Sequence, residues 1–188
     1  MSIHENTTFK AEYFSTKSFS DQEFVECDFQ QCDLSSNNFN NSNLMDCRFT
    51  DCNLSLIKLN NTGLKNCMFI NCKMIGADFS ICNNFLFAVS FQNCQLDVSI
   101  FYKMKLKKTT FKNCSLKEVD FTECDLSEAS FTDCELVGTT FVETNLEKVD
   151  FRTAKNYTLD PEKNRIKKAK FSSEGLAGLL AKYKIEID

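Results

Sequence analysis

Residues 111–136 read FKNCS-LKEVD-FTECD-LSEAS-FTDCE-L. Phe111, Leu116, Phe121, Leu126, Phe131 and Leu136 stand five residues apart, Phe alternating with Leu. An amphipathic helix has a period of about 3.6 and a strand a period of about two, so neither produces this beat. A short period held over many units marks a solenoid. Outward from this stretch the beat continues through Phe141, Leu146 and Phe151. Backward it runs through Leu106, Phe101, Leu96 and Phe91 to Leu86, then slips by two residues at 83–88, Asn83-Asn84-Phe85-Leu86-Phe87-Ala88. Beyond the slip lie Phe79, Met74, Phe69, Leu64, Leu59, Leu54, Phe49, Leu44, Phe39, Leu34, Phe29 and Phe24.

Two residues before each large side chain stands a column of mostly small ones. It holds all 11 cysteines of the chain, with Ala, Val, Ser and Thr in most other places and no charged residue. The remaining three positions of each five are mainly Asn, Asp, Glu, Lys, Ser, Thr and Gln. Two slots are therefore expected inside and three in water. Phe and Leu alternate, so units two apart carry the same residue; on a four-sided coil these would face each other across the axis and keep layer volume nearly constant, as native packing requires. Cys27, Cys47 and Cys67, then Cys32, Cys52 and Cys72, then Cys94, Cys114 and Cys134 recur every twenty residues. In a coil of four units these would form vertical ladders with rungs about 4.8 Å apart.

The composition narrows the function. With 188 residues, 43% of them apolar, the chain has ample material for a core and is not disordered. No run approaches the roughly 18 apolar residues of a membrane span, and Met1–Lys17 lacks the apolar centre of a secretory leader. Free thiols then point to the cytoplasm. One histidine, His4, leaves no material for His-based triads or multi-His metal sites. A net charge of −4 argues against direct nucleic-acid binding. Cys-x4-Cys spacing could serve zinc or an iron–sulfur cluster, but the repeat alone imposes it, and Ala or Val takes the same slot elsewhere. No catalytic residue, metal or cofactor is expected.

Cys-Asp-Phe (27–29), Cys-Asp-Leu (32–34), Ala-Asp-Phe (77–79), Val-Asp-Phe (119–121), Cys-Asp-Leu (124–126) and Val-Asp-Phe (149–151) carry a resemblance to the pentapeptide-repeat proteins, whose unit is roughly A/C-D/N-L/F-x-x. The resemblance covers about residues 20–156. It implies an all-β fold, a right-handed quadrilateral parallel β-helix with four repeats per coil and Phe or Leu pointing inward. Residues 1–20 are expected to form an N-terminal cap or imperfect first coil, because Glu12 and Lys17 occupy the small column beside Phe9, Phe14 and Phe19. The β-helix is expected over 21–156 and a C-terminal cap over 157–188. In that cap Ser172 or Ser173 is read as the N-cap of a short helix. Leu176, Leu179, Leu180 and Tyr183 would share one helix face, with Ile185 and Ile187 in a final strand. These six are the candidate dimerisation residues. The resemblance implies a homodimer through this end.

Candidate partner-binding residues form two groups. Asn83, Asn84, Phe85 and Phe87 lie at the slip, which is either a recognition point or an insertion whose phenylalanines pack back on the rod. Glu118, Asp120, Glu123, Asp125, Glu128, Asp133 and Glu135 belong to a span, 112–150, with ten acids against three lysines. That density approaches the charge of duplex DNA, about one per 1.7 Å, and suggests a DNA-mimicking surface; solubility is the plainer reading. Lysines at 103, 105, 107 and 108 and the run Lys163–Lys170 are anion seats or solvated faces. The slip, Leu159-Asp160-Pro161-Glu162 and the amphipathic tail are similar to quinolone-resistance and microcin-immunity members of the family. That similarity implies a protein partner, a type II topoisomerase and DNA gyrase above all. The mild net charge and lack of long projecting loops depart from that pattern. The alternative is a scaffold protein with no topoisomerase partner.

Overall fold

A computed structural model describes residues 2–11 and 18–186; Glu12, Phe14, Lys17 and Ile187 lie outside the described residues. Each five-residue unit is one extended residue carrying the large side chain, then a corner. At the corner the residue two after the large one takes a left-handed backbone, as at Glu26, Gln31, Ser36 and Asn41 with φ of 53–59°. Four corners close one coil, and coils stack in parallel with a twenty-residue register: Phe9↔Phe29, Phe29↔Phe49, Phe49↔Phe69.

The result is a quadrilateral parallel β-helix. Wall 1 is a four-stranded sheet of β1 (Ser2–Glu5), β3 (Gln22–Val25), β5 (Asn43–Met45) and β7 (Gly63–Lys65). Wall 2 is a seven-stranded sheet of β2 (Thr8–Lys10), β4 (Asp28–Gln30), β6 (Arg48–Thr50), β8 (Cys67–Ile70), β9 (Val89–Gln92), β10 (Thr110–Lys112) and β11 (Ser130–Thr132). Walls 3 and 4 are ladders of single bridges, such as Asp33↔Asn53↔Lys73↔Gln95 and Asp78↔Ile100↔Asp120. The difference has a local cause. Units on walls 3 and 4 end in a hydrogen-bonded β-turn, Asn37 N–H to Leu34 O (3.0 Å) and Ser42 N–H to Phe39 O (3.0 Å), which shortens the strand to one residue.

Inside, the phenylalanines stack along the axis. On wall 2 Phe91, Phe111, Phe131 and Phe151 follow at 5.3, 4.9 and 5.0 Å, and on wall 4 Phe101 and Phe121 at 5.1 Å. The two columns meet edge to face, as Phe101 and Phe111 do at 6.2 Å and 89°, an arrangement the ring quadrupoles favour. Two Phe per layer across the axis is what the alternation predicts. The layer of Leu44, Phe49, Leu54 and Leu59 departs from it: with Leu59 where Phe39 and Phe79 sit above and below, a void of about 10 Å³ remains.

Every cysteine is buried and unbridged. Nine of the 11 occupy corners after walls 1 and 2 that lack the turn hydrogen bond. There the thiol donates to the carbonyl two residues back, as Cys32 does to Gln30 O (3.4 Å) and Cys94 to Gln92 O (3.3 Å). Burial pushes Cys47 and Cys124 up to about 12, so neither is a thiolate nucleophile at neutral pH.

Three expectations need correction. Leu86, expected inward, is 65% exposed with φ of 57°, and Phe87 packs on the core instead. The terminal helix is only α1 (Ala177–Leu180), followed by a 3-10 turn at Ala181–Tyr183; its N-cap is Leu176, with no side-chain cap. Ser172 accepts the Gly175 N–H (3.2 Å) in the preceding turn. Ile185 is not in a strand.

Candidate protein-interaction surfaces

The slip lies on wall 1, and past it the coil register changes from twenty to 22, with Cys67 pairing with Val89 and Phe69 with Phe91 on wall 2 and Lys73 with Gln95 on wall 3. Asn83 keeps the old register by bridging Gly63, and Ala88 rejoins the wall through its N–H to Leu64 O (2.9 Å). The chain between them bulges. Asn83 holds the bulge by accepting the Phe85 N–H on its side-chain oxygen (2.9 Å), and a chain of amides descends from it: Asn83 to Asn61 (3.4 Å), Asn61 to Asn41 (3.1 Å). Asn84 is exposed. The two phenylalanines divide. Phe87 is half-buried against the core, whereas Phe85 is 69% exposed, with the Lys65 ammonium 5.7 Å from its ring centre.

The acids do not form one face. Glu118 lies on the wall 3–4 corner, Asp120 on wall 4, Glu123 on the wall 4–1 corner and Asp125 on wall 1. Glu128 follows on the wall 1–2 corner, Asp133 on the wall 2–3 corner and Glu135 on wall 3. They ring one coil. Lysines from neighbouring coils also neutralise them: Lys103 meets Glu123 (3.4 Å), and Lys107, Lys108 and Lys148 converge on Glu128 (3.4, 3.9 and 3.9 Å). Asp120 and Asp125 turn inward to their own loops, accepting N–H bonds from Thr122 and Ser127.

At the C-terminal end Asn164 is the internal cap. Buried in the slot one rung beyond Thr144, it accepts the Thr144 N–H (3.0 Å) and donates to Phe141 O and Asp160 O (both 2.9 Å). Tyr157 then covers the core, its ring 5.4 Å from Phe151. Residues 172–186 cross over Tyr157 as a strap. Gly175 and Gly178 are required there: a Cβ on Gly178 would lie 2.2 Å from Tyr157 O and one on Gly175 2.1 Å from the Tyr157 hydroxyl. Lys182 ties the strap to Asp160 (2.8 Å) and to Glu162, holding both carboxyls below their ordinary range. Leu179 packs on the core, while Leu176, Leu180, Tyr183 and Ile185 remain exposed.

Two features were not anticipated. Corner asparagines form side-chain ladders, Asn71–Asp51, Asn93–Asn71 and Asn113–Asn93, each 2.9 Å. The twenty-residue recurrence of Asn and Asp was the available signal. Leu56 and Val98 occupy left-handed corners (φ 55° and 59°) while 62% and 52% exposed, so neither strain nor exposure is offset by burial. Among the described residues no group of three or more His, Cys, Asp or Glu is placed to hold a metal, and no helix is long and apolar enough to cross a membrane.

The family model described as "Pentapeptide repeat region" matches residues 22–101, 84–155 and 104–179. Among solved structures, a trypsin-treated variant of QnrB1, a plasmid-mediated fluoroquinolone resistance protein, aligns with 99% of this chain and 91% of that chain at 21% identity and a TM-score of 0.51. Full-length QnrB1 aligns over 97% and 100% at 16% identity with a TM-score of 0.49. HetL, a pentapeptide repeat protein involved in heterocyst differentiation regulation from the cyanobacterium Nostoc, aligns over 92% and 85% at 13% identity with a TM-score of 0.35. No curated protein matches.

Proposed function

Because this chain belongs to the pentapeptide-repeat family, we propose that it is a non-catalytic rod that works by binding another protein, through the bulge at 83–88, and that the partner is a type II topoisomerase of the DNA gyrase kind. One observation carries the site: the bulge exposes an aromatic and an aliphatic side chain side by side, Phe85 and Leu86, on a backbone that the Asn83 side chain holds. Exposed aromatic and aliphatic anchors ringed by polar groups are what protein interfaces bury. The resemblance of the slip, Leu159-Asp160-Pro161-Glu162 and the tail to quinolone-resistance members supports the choice of partner, and a role in fluoroquinolone tolerance is part of the proposal. Homodimerisation through the strap is part of the proposal, supported by exposed Leu176, Leu180, Tyr183 and Ile185.

A scaffold role with no topoisomerase partner is the second reading. The acid ring favours it, since charges spread around one coil and paired with lysines make a poor copy of a DNA backbone. Assays with purified gyrase separate the two. The first reading predicts that added protein alters supercoiling or relieves quinolone-stabilised cleavage, and that Phe85→Ala loses the effect. Unchanged supercoiling and cleavage at saturating protein would leave the scaffold.

A further inference from the structure

We propose that the two ends of the rod are binding surfaces for each other, so that a second copy stacks head to tail, its N-terminal coil on the C-terminal coil of the first. The inference rests on reading the C-terminal end as a self-association surface and names the surface it meets.

Hydrogen-bonding groups match at the two ends. In the rod, the large residue and the corner residue of a unit donate their N–H groups up to the next coil: Leu146 to Arg165 O (2.8 Å), Lys148 to Lys167 O (3.0 Å), Phe151 to Lys170 O (2.8 Å). The next donors in this series, the N–H groups of Ile166, Lys168 and Phe171, have no backbone acceptor among the described residues. At the other end β1 pairs only with β3 and β2 only with β4, leaving an open edge on each. Continued by one coil, the same register sets Ile166, Lys168 and Phe171 under the carbonyls of Ile3, Glu5 and Thr8. Open parallel edges of this kind template further strands.

The core continues across the same joint. The wall 2 stack ends in Phe171, 5.5 Å from Phe151, and begins in Phe9, 4.7 Å from Phe29. Phe171 is only half-buried, so a copy carrying Phe9 would add the next ring.

Charge selects the orientation. Described residues 2–28 hold Glu5, Asp21, Glu23, Glu26 and Asp28 against Lys10. Residues 163–171 hold Lys163, Arg165, Lys167, Lys168 and Lys170 and no acid. Lys167, Lys168 and Lys170 make no ion pair among the described residues, and the register puts Glu5 over Lys167. The basic run and the acidic N-terminal coil attract each other, which favours the pairing of unlike ends. Such a contact is heterologous and does not close, so it yields an open series of assemblies.

Sedimentation velocity over a protein concentration series tests this, at about 0.01 M and about 1 M salt, where the Debye length falls from about 30 to 3 Å. The expectation is growth past the dimer at low salt and its loss at high salt. Glu5→Lys and Lys167→Glu, both at exposed positions, should each weaken association about tenfold with unchanged melting temperature. Combined in one chain, they should restore it. A closed dimer with no larger species overturns the head-to-tail joint while leaving C-terminal self-association standing. A monomer at every concentration in low salt overturns both. Association indifferent to both single reversals also rules out the joint.

Discussion

An inward position in this rod admits almost no freedom. Phe121 is fully buried, stacked on Phe101 and Phe141 and edge-on to Phe111 and Phe131. Phe121→Ala should cost about 3–5 kcal/mol through the cavity it leaves, read by denaturant titration; a loss below about 1 kcal/mol would contradict the packing. Outward corners obey the opposite logic. Val98 is β-branched in a left-handed backbone and half exposed. Val98→Asn should therefore raise stability by about 1 kcal/mol, because Asn tolerates that backbone. A drop in stability would mean that Val98 packs to an advantage not evident from its exposure. At this scale the sequence was readable wherever the beat held. It failed at the slip, where Leu86 and Phe87 are both apolar neighbours and counting by five cannot tell which one the core takes. Left-handed corners were also hidden, since the fold imposes them on Glu, Lys, Leu and Val alike.

One coil and one strap set the weak points among the elements. The layer containing Leu59 is short of a ring, and its void is flanked by Phe39 and Phe79 on the same wall. Leu59→Phe should complete the wall 4 stack and raise the melting temperature, by about 1 kcal/mol of stability if the ring fits without strain; a lowered melting temperature would show the layer already full. The strap is held differently, with no buried residue in α1 and its ties at Lys182. Asp160 and Glu162 are held below their ordinary values of 3.8 and 4.5, so the stabilisation they give is present above those values. It is lost as pH falls through the depressed ones. NMR shifts of Tyr183 should accordingly move toward unstructured values in acid before the rod unfolds, and Lys182→Ala should produce the same shifts at neutral pH. Tyr183 shifts that follow the rod's own unfolding would contradict a separable strap. The sequence shows an amphipathic tail but not its shortness, because the fixed feature is Tyr157, which admits only glycine at 175 and 178.

For the whole molecule, the architecture was legible because the five-residue beat carries the resemblance to the pentapeptide-repeat family and the Phe/Leu alternation fits a four-sided coil; the corners without a closing turn bond, where nine cysteines sit, came only with the structure. Surface function was less legible. The acid-rich stretch looks like a face in one dimension and becomes a ring once wound, with lysines from adjacent coils beside it. The bulge divides on winding: Phe85 and Leu86 stay outward, while Phe87 returns to the core. The central claim is that the interior is structural and that the bulge is the point of recognition. A calorimetric titration of purified gyrase with wild-type protein and with Phe85→Ala tests it most directly. The account predicts association at micromolar concentration or tighter, weakened about tenfold or more by the substitution, with the melting temperature unchanged. No heat of binding at about 100 µM, or equal affinity for both proteins, would contradict it.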